Sequence, residues 1–481
     1  MSWLGLDLGT SGVKALLLGR GGAVVAEASA PLDVARPCPG WSEQAPADWI
    51  AATRIVLSDL ARRADLGDVR GIGLSGQMHG AVLLDAGGRV LRPAILWNDT
   101  RAHREAAELD ARAIFRAQTG NIVFPGFTAP KLLWVARHEP GTFDSVDKVL
   151  LPKDYLRFWL TGEHISDMSD ASGTAWLDVG ARDWSAELLA ASGMSPAQMP
   201  ALAEGSARAG RLRAALADET GLPAGIPVAG GGGDNAASAC GIGAVGTGGF
   251  ASLGTSGVLF AATERFRPNA DSAVHAFCHA LPGAWHQMGV ILSAADALAW
   301  WGRVTGLTPQ ALTEEAGTHK APGGPLFLPY LSGERTPHND AAIRGQFLHL
   351  SHGDDRPALT RAVLDGVAFA FRDSLDALRG AGTDLTRVMA IGGGAASRLW
   401  LQTLATATGL TLDLPGAGEH GAALGAARLG LCAAEGADPL EICTPPPVAD
   451  TIAPDPALLG AYAAQLGRYR TAYTLLKGFS T

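Results

Sequence analysis

Residues 5–14 read Gly-Leu-Asp-Leu-Gly-Thr-Ser-Gly-Val-Lys. An apolar strand (Trp3, Leu4, Leu6, Leu8) carries one acid, Asp7, and turns through Gly-Thr-Ser-Gly into a second apolar strand from Val13 to Leu18. Gly9 and Gly12 permit positive φ and leave backbone N–H groups uncovered, Thr10 and Ser11 add hydroxyl donors, and Lys14 adds a positive charge. Such a turn can hold phosphate oxygens. A carboxylate in an apolar strand is costly unless compensated, and a hydrated Mg²⁺ riding on a nucleotide phosphate would compensate it. The plain alternative is an ordinary hairpin with an incidental Asp. The pattern recurs, however, as Ser252-Leu-Gly-Thr-Ser-Gly257, followed by the apolar run Val258 to Phe260. One copy near the start of each half indicates a duplicated fold. The two hairpins could grip the ends of a triphosphate, with Thr255 and Ser256 on the second. Ser252 stands where Asp7 stood, so the metal falls to the first half.

Working outward, Gly21-Gly22 leads to a third strand, Ala23 to Ala28, and Asp48 caps a helix reaching about Arg63. The strand Gly71 to Ser75 ends on Gly76-Gln77-Met78-His79-Gly80, and Pro93 to Trp97 ends on Asn98-Asp99-Thr100-Arg101. Gly71-x-Gly73-x-x-Gly76 and Gly241-x-Gly243-x-x-Gly246 match the dinucleotide fingerprint. Neither is expected to open a helix after a strand, where that fingerprint has meaning. No Gly-Lys dipeptide occurs, which excludes a Walker A loop, and GxSxG and HExxH are absent.

Residues 226–237 read Ile-Pro-Val-Ala-Gly-Gly-Gly-Gly-Asp-Asn-Ala-Ala. A strand meets four glycines, then Asp234, then a helix of small residues. With no neighbouring cation in sequence, Asp234 suits a general base facing a cleft, and a helix cap is the alternative role. In the second half Ser293 is expected to cap a helix, and a polar loop Ser332-Gly-Glu-Arg-Thr-Pro-His338 follows a short strand. Val388 to Ile391 feeds Gly392-Gly393-Gly394 and then a helix, an arrangement in which a base or ribose can lie against bare backbone. Gly418 to Leu429 is an alanine-rich helix suited to close packing. His275 and His279 flank Cys278, but no third ligand has suitable spacing, so they read as structural.

With 481 residues the chain has room for two domains, and 47% apolar and 18% charged residues are globular-enzyme values. A net charge of −9 without a basic patch argues against nucleic acid as a partner. Five scattered cysteines without a CxxC pair argue against zinc and disulfides and fit a cytoplasmic setting. No signal peptide or membrane-spanning run is read.

The stretches DLGTSGVK, GQMHG, LRPAILWNDTR, PGFTAPKLLW, LLPKDYLR, SDMSDASGTAWLDV, GGGDNAA, SLGTSG, FLPYLSGERTPH, IGGGAAS and ALGAA together resemble the FGGY carbohydrate kinases of the actin-like superfamily, over nearly the whole chain. Gln77-Met78-His79-Gly80 with Trp97-Asn98-Asp99 is similar to the branch acting on xylulose, whereas glycerol-phosphorylating members have Arg-Glu in place of Met78-His79. The resemblance implies an α/β fold of two actin-like (ribonuclease H-like) domains, 1–246 on the sugar side and 247–481 on the nucleotide side, with mixed sheets flanked by helices and a cleft between them. It implies transfer from Mg²⁺-ATP to the terminal hydroxyl of D-xylulose, with another ketopentose, a polyol or a non-catalytic nucleotide switch as rivals. Asp234 would be the base, Asp7 would order Mg²⁺, and Thr10, Ser11 and Lys14 would lie near the transferred phosphate. Thr255 and Ser256 would hold the other phosphates, and Gly392, Gly393 and Gly394 would line the adenosine site. Met78 and His79 would meet the sugar, with Gln77, Asn98 and Asp99 nearby. A lone His after a strand is more often structural; the position of His79 between Met78 and Gly80 at a strand end favours the cleft. The resemblance also implies a homodimer. His349 departs from the family's usual glycine, and Ala358 from a usual polar residue.

Overall fold

The computed structural model describes residues 1–416 and 421–479. Two seven-stranded mixed sheets form its frame. The first contains β1 (Ser2–Leu8), β2 (Gly12–Gly19), β3 (Val24–Pro31), β4 (Val69–Gly76), β5 (Arg208–Arg211), β6 (Pro227–Ala229) and β7 (Gly232–Gly233). Its order is β5–β6–β4–β1–β2–β3, with β7 pairing β4 beyond β6. β1, β2 and β3 are antiparallel, while β4 runs parallel to β1. The second sheet contains β8 (Gly249–Leu253), β9 (Gly257–Thr263), β10 (His275–Cys278), β11 (Trp285–Ile291), β12 (Arg387–Ile391), β13 (Thr411–Pro415) and β14 (Val448–Ile452), in the order β10–β11–β9–β8–β12–β13–β14. Again a Gly-Thr-Ser-Gly hairpin has an antiparallel strand on one side and a parallel strand on the other. The repeat seen in the sequence is therefore a repeat of topology.

The alternating register buries Leu4, Leu6 and Leu8 beneath helix α1 (Pro46–Ala61), whose Trp49, Val56 and Leu60 are fully covered. Pro46, not Asp48, opens α1: Ala45 precedes it and Asp48 lies in the first turn, where a carboxylate favours the helix dipole. α2 (Pro152–Thr161) closes on Gly162 with φ 84°. α3 (Asp234–Ile242) follows β7 directly. α4 (Ala295–Thr305) is preceded by Ala294, and Ser293 makes no cap; its buried hydroxyl has no protein partner. α5 (Arg356–Gly380) and α6 (Arg398–Thr408) cover the second sheet. Neither dinucleotide-like glycine run opens a helix after a strand: the first lies in β4 and the second at the end of α3. His349 has φ 59°, a conformation that favours glycine, and this explains why a glycine serves there; Ala358 donates its N–H to Asp355 at the start of α5.

α7 (Gly421–Glu435) crosses back from the second half and packs between the first sheet and α3. Gly418, the expected start of this helix, lies outside the described residues. The approach is so close that a Cβ on Gly73 would stand 1.7 Å from the Ala426 carbonyl oxygen, and one on Gly425 would stand 1.7 Å from that of Ala237. Among the described residues no helix is long and apolar enough to cross a membrane.

Backbone–backbone contact of this kind leaves no room for relaxation. Gly73→Ala is expected to lower unfolding stability by about 2 kcal/mol or more, as overpacking does. Gly141→Ala, at a position with nothing within 4 Å, should be near-neutral. Urea unfolding of both variants checks this, and equal midpoints would contradict it.

Candidate active site

Strand register brings the two acids together. Asp7 on β1 pairs Lys14 on β2 and Ser75 on β4, so the three side chains share one face. Ser75 in turn pairs Gly232 on β7, and β7 leads into Asp234. Burial raises the pKa of Asp7, opposed by the neighbouring Ser75 hydroxyl and the charge of Lys14. Asp234 is the first residue of α3, after Gly233 as cap. Its Oδ1 accepts hydrogen bonds from the Asn235 backbone N–H at 2.7 Å and side-chain amide at 2.9 Å, which leaves Oδ2 available. Burial, and then the charge of Asp7, raise its pKa to about 6.

The first hairpin turn is held by side chains distant in sequence. The Trp97 indole donates to Thr10 Oγ1 at 2.9 Å, and Thr10 Oγ1 donates to Gln77 Oε1 at 3.0 Å. Gln77 Nε2 donates to Gln44 Oε1 at 2.9 Å, and Gln44 Nε2 returns to the Thr10 carbonyl at 2.7 Å. Gln77 is buried, whereas Ser11 and Lys14 are exposed beside the turn.

Met78 packs against Gly233, where a Cβ would meet its Sδ at 2.9 Å. His79 has φ 69°, and its ring stacks on Phe127 with centroids 4.7 Å apart. Its Nδ1 lies 2.6 Å from the Gly173 carbonyl, so Nδ1 carries the proton and Nε2 is an acceptor. Burial holds the ring neutral, with a pKa lowered to about 3. A Cβ on Gly173 would overlap the His79 ring, which accounts for a glycine that the sequence alone left without a role.

A cavity of about 320 Å³ opens here, lined by His79, Trp97, Asn98 and Phe127 from the first half and by Leu292, Glu334 and Arg335 from the second. Asn98 Oδ1 has no protein partner. Asp99 also borders the cavity, but its carboxylate is engaged: Oδ2 accepts from the Ser42 N–H at 2.6 Å, and both oxygens accept from Arg101. Asp99 thus fixes the loop that presents Asn98.

On the other side, Thr255 and Ser256 are exposed at the tip of the second hairpin. The Gly254 and Thr255 carbonyls accept the first N–H groups of α4 (Ala295 at 2.8 Å) and of the preceding Ala294 (2.9 Å), so the tip is fixed by its backbone. Gly392 has φ 89° and packs on Leu253; a Cβ there would meet its carbonyl carbon at 2.8 Å. Gly393 and Gly394 line a second cavity of about 720 Å³, together with Leu298, Gln310 and Trp400. Behind the acids, Asp154, Asp167 and Asp170 surround the buried Lys153 ammonium at 2.5, 2.9 and 3.4 Å. Among the described residues this is the one group of three or more His, Cys, Asp or Glu side chains able to converge on a single ion, and the ammonium lies among them. His275 and His279 sit buried among aromatic rings, as structural residues do.

A two-domain fold with duplicated Gly-Thr-Ser-Gly hairpins and cavities of about 720 and 320 Å³ is the fold of a phosphotransferase. The chain belongs to the FGGY family of carbohydrate kinases, whose N-terminal domain matches residues 2–241 and whose C-terminal domain matches residues 249–434. It is similar to the xylulose kinase of Escherichia coli (strain K12), with 49% identity over 479 residues, covering 98% of this chain and 99% of that protein. It is likewise similar to the crystal structure of a xyloylose kinase from Brucella ovis, with 62% identity, a TM-score of 0.98 and both chains covered completely. The crystal structure of xylulose kinase from Rhodospirillum rubrum matches with 32% identity and a TM-score of 0.93, over 100% of this chain and 99% of the other.

The geometry of His79 fixes its charge. Its ring resonances are expected to show no titration between pH 5 and 8, because protonation would occur only near pH 3. An NMR midpoint near the ordinary value for histidine would contradict the neutral, Nδ1-protonated assignment.

Proposed function

We infer that this chain transfers the terminal phosphoryl group of ATP to the 5-hydroxyl of D-xylulose, forming D-xylulose 5-phosphate. The observation that carries the reading is the available oxygen of Asp234, which follows the Gly233 that packs on Met78, with the neutral His79 next after Met78 and lining a cavity, in a chain half identical over its length to a xylulose kinase.

Asp234 acts as the base. The sugar hydroxyl is a far weaker acid than any carboxylate, so the proton moves to Asp234 as the bond to phosphorus forms. The sugar meets Met78, His79 Nε2 and Asn98. Gln77 and Asp99 act one step back, by holding Thr10 and the Asn98 loop. Thr10, Ser11 and Lys14 contact the transferred phosphoryl group, Thr255 and Ser256 the other phosphates, and Gly392 to Gly394 the adenosine. Residues 1–246 then form the sugar side and 247–481 the nucleotide side. Asp7 fits a hard cation: its carboxylate oxygens are the donor type that Mg²⁺ prefers, and a cation would offset the burial that raises its pKa. When bound with ATP, Mg²⁺ supplies charge neutralisation on the phosphates. Leu292 and Arg335 cover the sugar cavity from the second half and help exclude water. Five free cysteines, four of them buried, support a reducing cytoplasm, and the family resemblance supports a homodimer.

ADP release with MgATP is expected to require D-xylulose and to be far slower with D-ribulose, L-ribulose, glycerol, gluconate or no sugar. Asp234→Asn should lower kcat by about 10²–10⁴, the usual contribution of a general base, while sugar binding stays measurable by calorimetry. Near-normal turnover in that variant would remove the base assignment. A rate indifferent to every sugar would favour a nucleotide switch.

A further inference from the structure

The loop after the short strand Leu326–Leu328 is built with unusual care around one residue. The Thr336 N–H donates to the Val290 carbonyl on β11, and its Oγ1 accepts from the Val290 N–H and donates to the Ala273 carbonyl. Glu334 Oε1 accepts from the Leu292 N–H at 3.0 Å and the Arg335 N–H at 2.7 Å. Arg335 is thereby held between two fixed neighbours and reaches from the second half to the first, where its guanidinium lies 4.0 Å from the centroid of the Phe124 ring. Its Nη1 lies 3.2 Å from His275 Nε2.

Among the described residues this cation forms no ion pair. Asp99, across the cavity, is taken by Arg101. Glu334 faces backbone, and its burial raises its pKa to about 8, so it is mostly neutral at pH 7. Burial lowers the pKa of Arg335 only to about 10, so it stays charged. A half-buried guanidinium that opens on a cavity, with only Nη1 engaged and with Nε and Nη2 unpartnered among the described residues, is placed for a ligand rather than for stability.

We propose that Arg335 is the sugar-binding residue of the second half, donating hydrogen bonds to the carbonyl and adjacent hydroxyl oxygens at the hydroxyketone end of a ketose. This rests on the assignment of Asp234 as the base, because Asp234 takes the opposite end of the chain. The ring series His79, Phe127, Phe124, its first pair stacked and its second edge-to-face, spaces Arg335 away from Met78 and the Asp234 end. The two oxygens of a hydroxyketone edge match a planar fork, which a lysine cannot imitate. A sugar held by His79 and Asn98 on one side and Arg335 on the other bridges the two halves, so sugar binding and cleft closure become one event.

Wild-type enzyme, Arg335→Gln and Arg335→Lys are compared with D-xylulose and its 1-deoxy analogue, with melting temperatures taken in parallel. The Gln variant is expected to raise KM for D-xylulose about 10- to 100-fold, the usual effect of losing a charged hydrogen bond, with a smaller change in KM for ATP. Wild type should favour D-xylulose over the 1-deoxy sugar, and the variant should lose most of that preference. Should the Gln variant not fold, the Lys variant decides, by losing the preference while keeping the charge. An unchanged KM for D-xylulose, or a preference for the 1-hydroxyl as strong in the folded variant as in wild type, overturns the assignment and leaves the proposed function standing. A wild type inactive on D-xylulose overturns both.

Discussion

The architecture depends on how closely α7 lies against backbone on both of its sides. Gly5, Gly71 and Gly73 on the sheet face carbonyls and amides of the helix, and Gly425 faces the Ala237 carbonyl on α3. Any side chain at these glycines would push the layers apart. The consequence reaches the chemistry, because α3 begins with Asp234. A helix contributed late in the chain, by the second half, therefore sets how deeply the helix that begins with Asp234 sits against the first sheet. The two halves share a packed interior element as well as a cleft.

Around that frame the charges are arranged by contrast. Lys153 and Arg157 neutralise the acids beneath the sheet, in a region closed to solvent. Asp7 and Asp234, by contrast, have no buried cation as partner among the described residues; Lys14 is exposed, and the proximity of the two acids raises the pKa of Asp234. Such a pair is unfavourable alone and becomes favourable with a divalent cation and a hydroxyl that must lose its proton. The same separation holds at the cavity beside His79, where Asp99 is fully engaged and Arg335 is not.

Much of this was readable in the sequence, for a physical reason. The repeated Gly-Thr-Ser-Gly turns, the glycine run before Asp234 and the triple glycine after β12 are local devices in which neighbours in sequence are neighbours in space. The alanine-rich helix was readable as closely packed, but not the surface it packs on. Gln77 and Asp99 sit in the right stretches, yet their partners lie 33 and 57 residues away, so their supporting roles emerge only from the fold. Gly173 gave no local signal, since it is required only by the His79 ring. Arg335 stood in a conspicuous loop, but nothing in the sequence showed that it crosses to Phe124. Asp48 and Ser293 had the chemistry of helix caps, but a proline start and a buried hydroxyl displaced them.

In the proposed orientation the terminal hydroxymethyl group of the sugar lies at Asp234 and its hydroxyketone end at Arg335. The most direct measurement is carbon and phosphorus NMR of the product formed from MgATP and uniformly ¹³C-labelled D-xylulose. A single sugar phosphate with phosphorus coupling at C5 and C4 is expected. Coupling at C1, or ADP formed without a sugar phosphate, would contradict it.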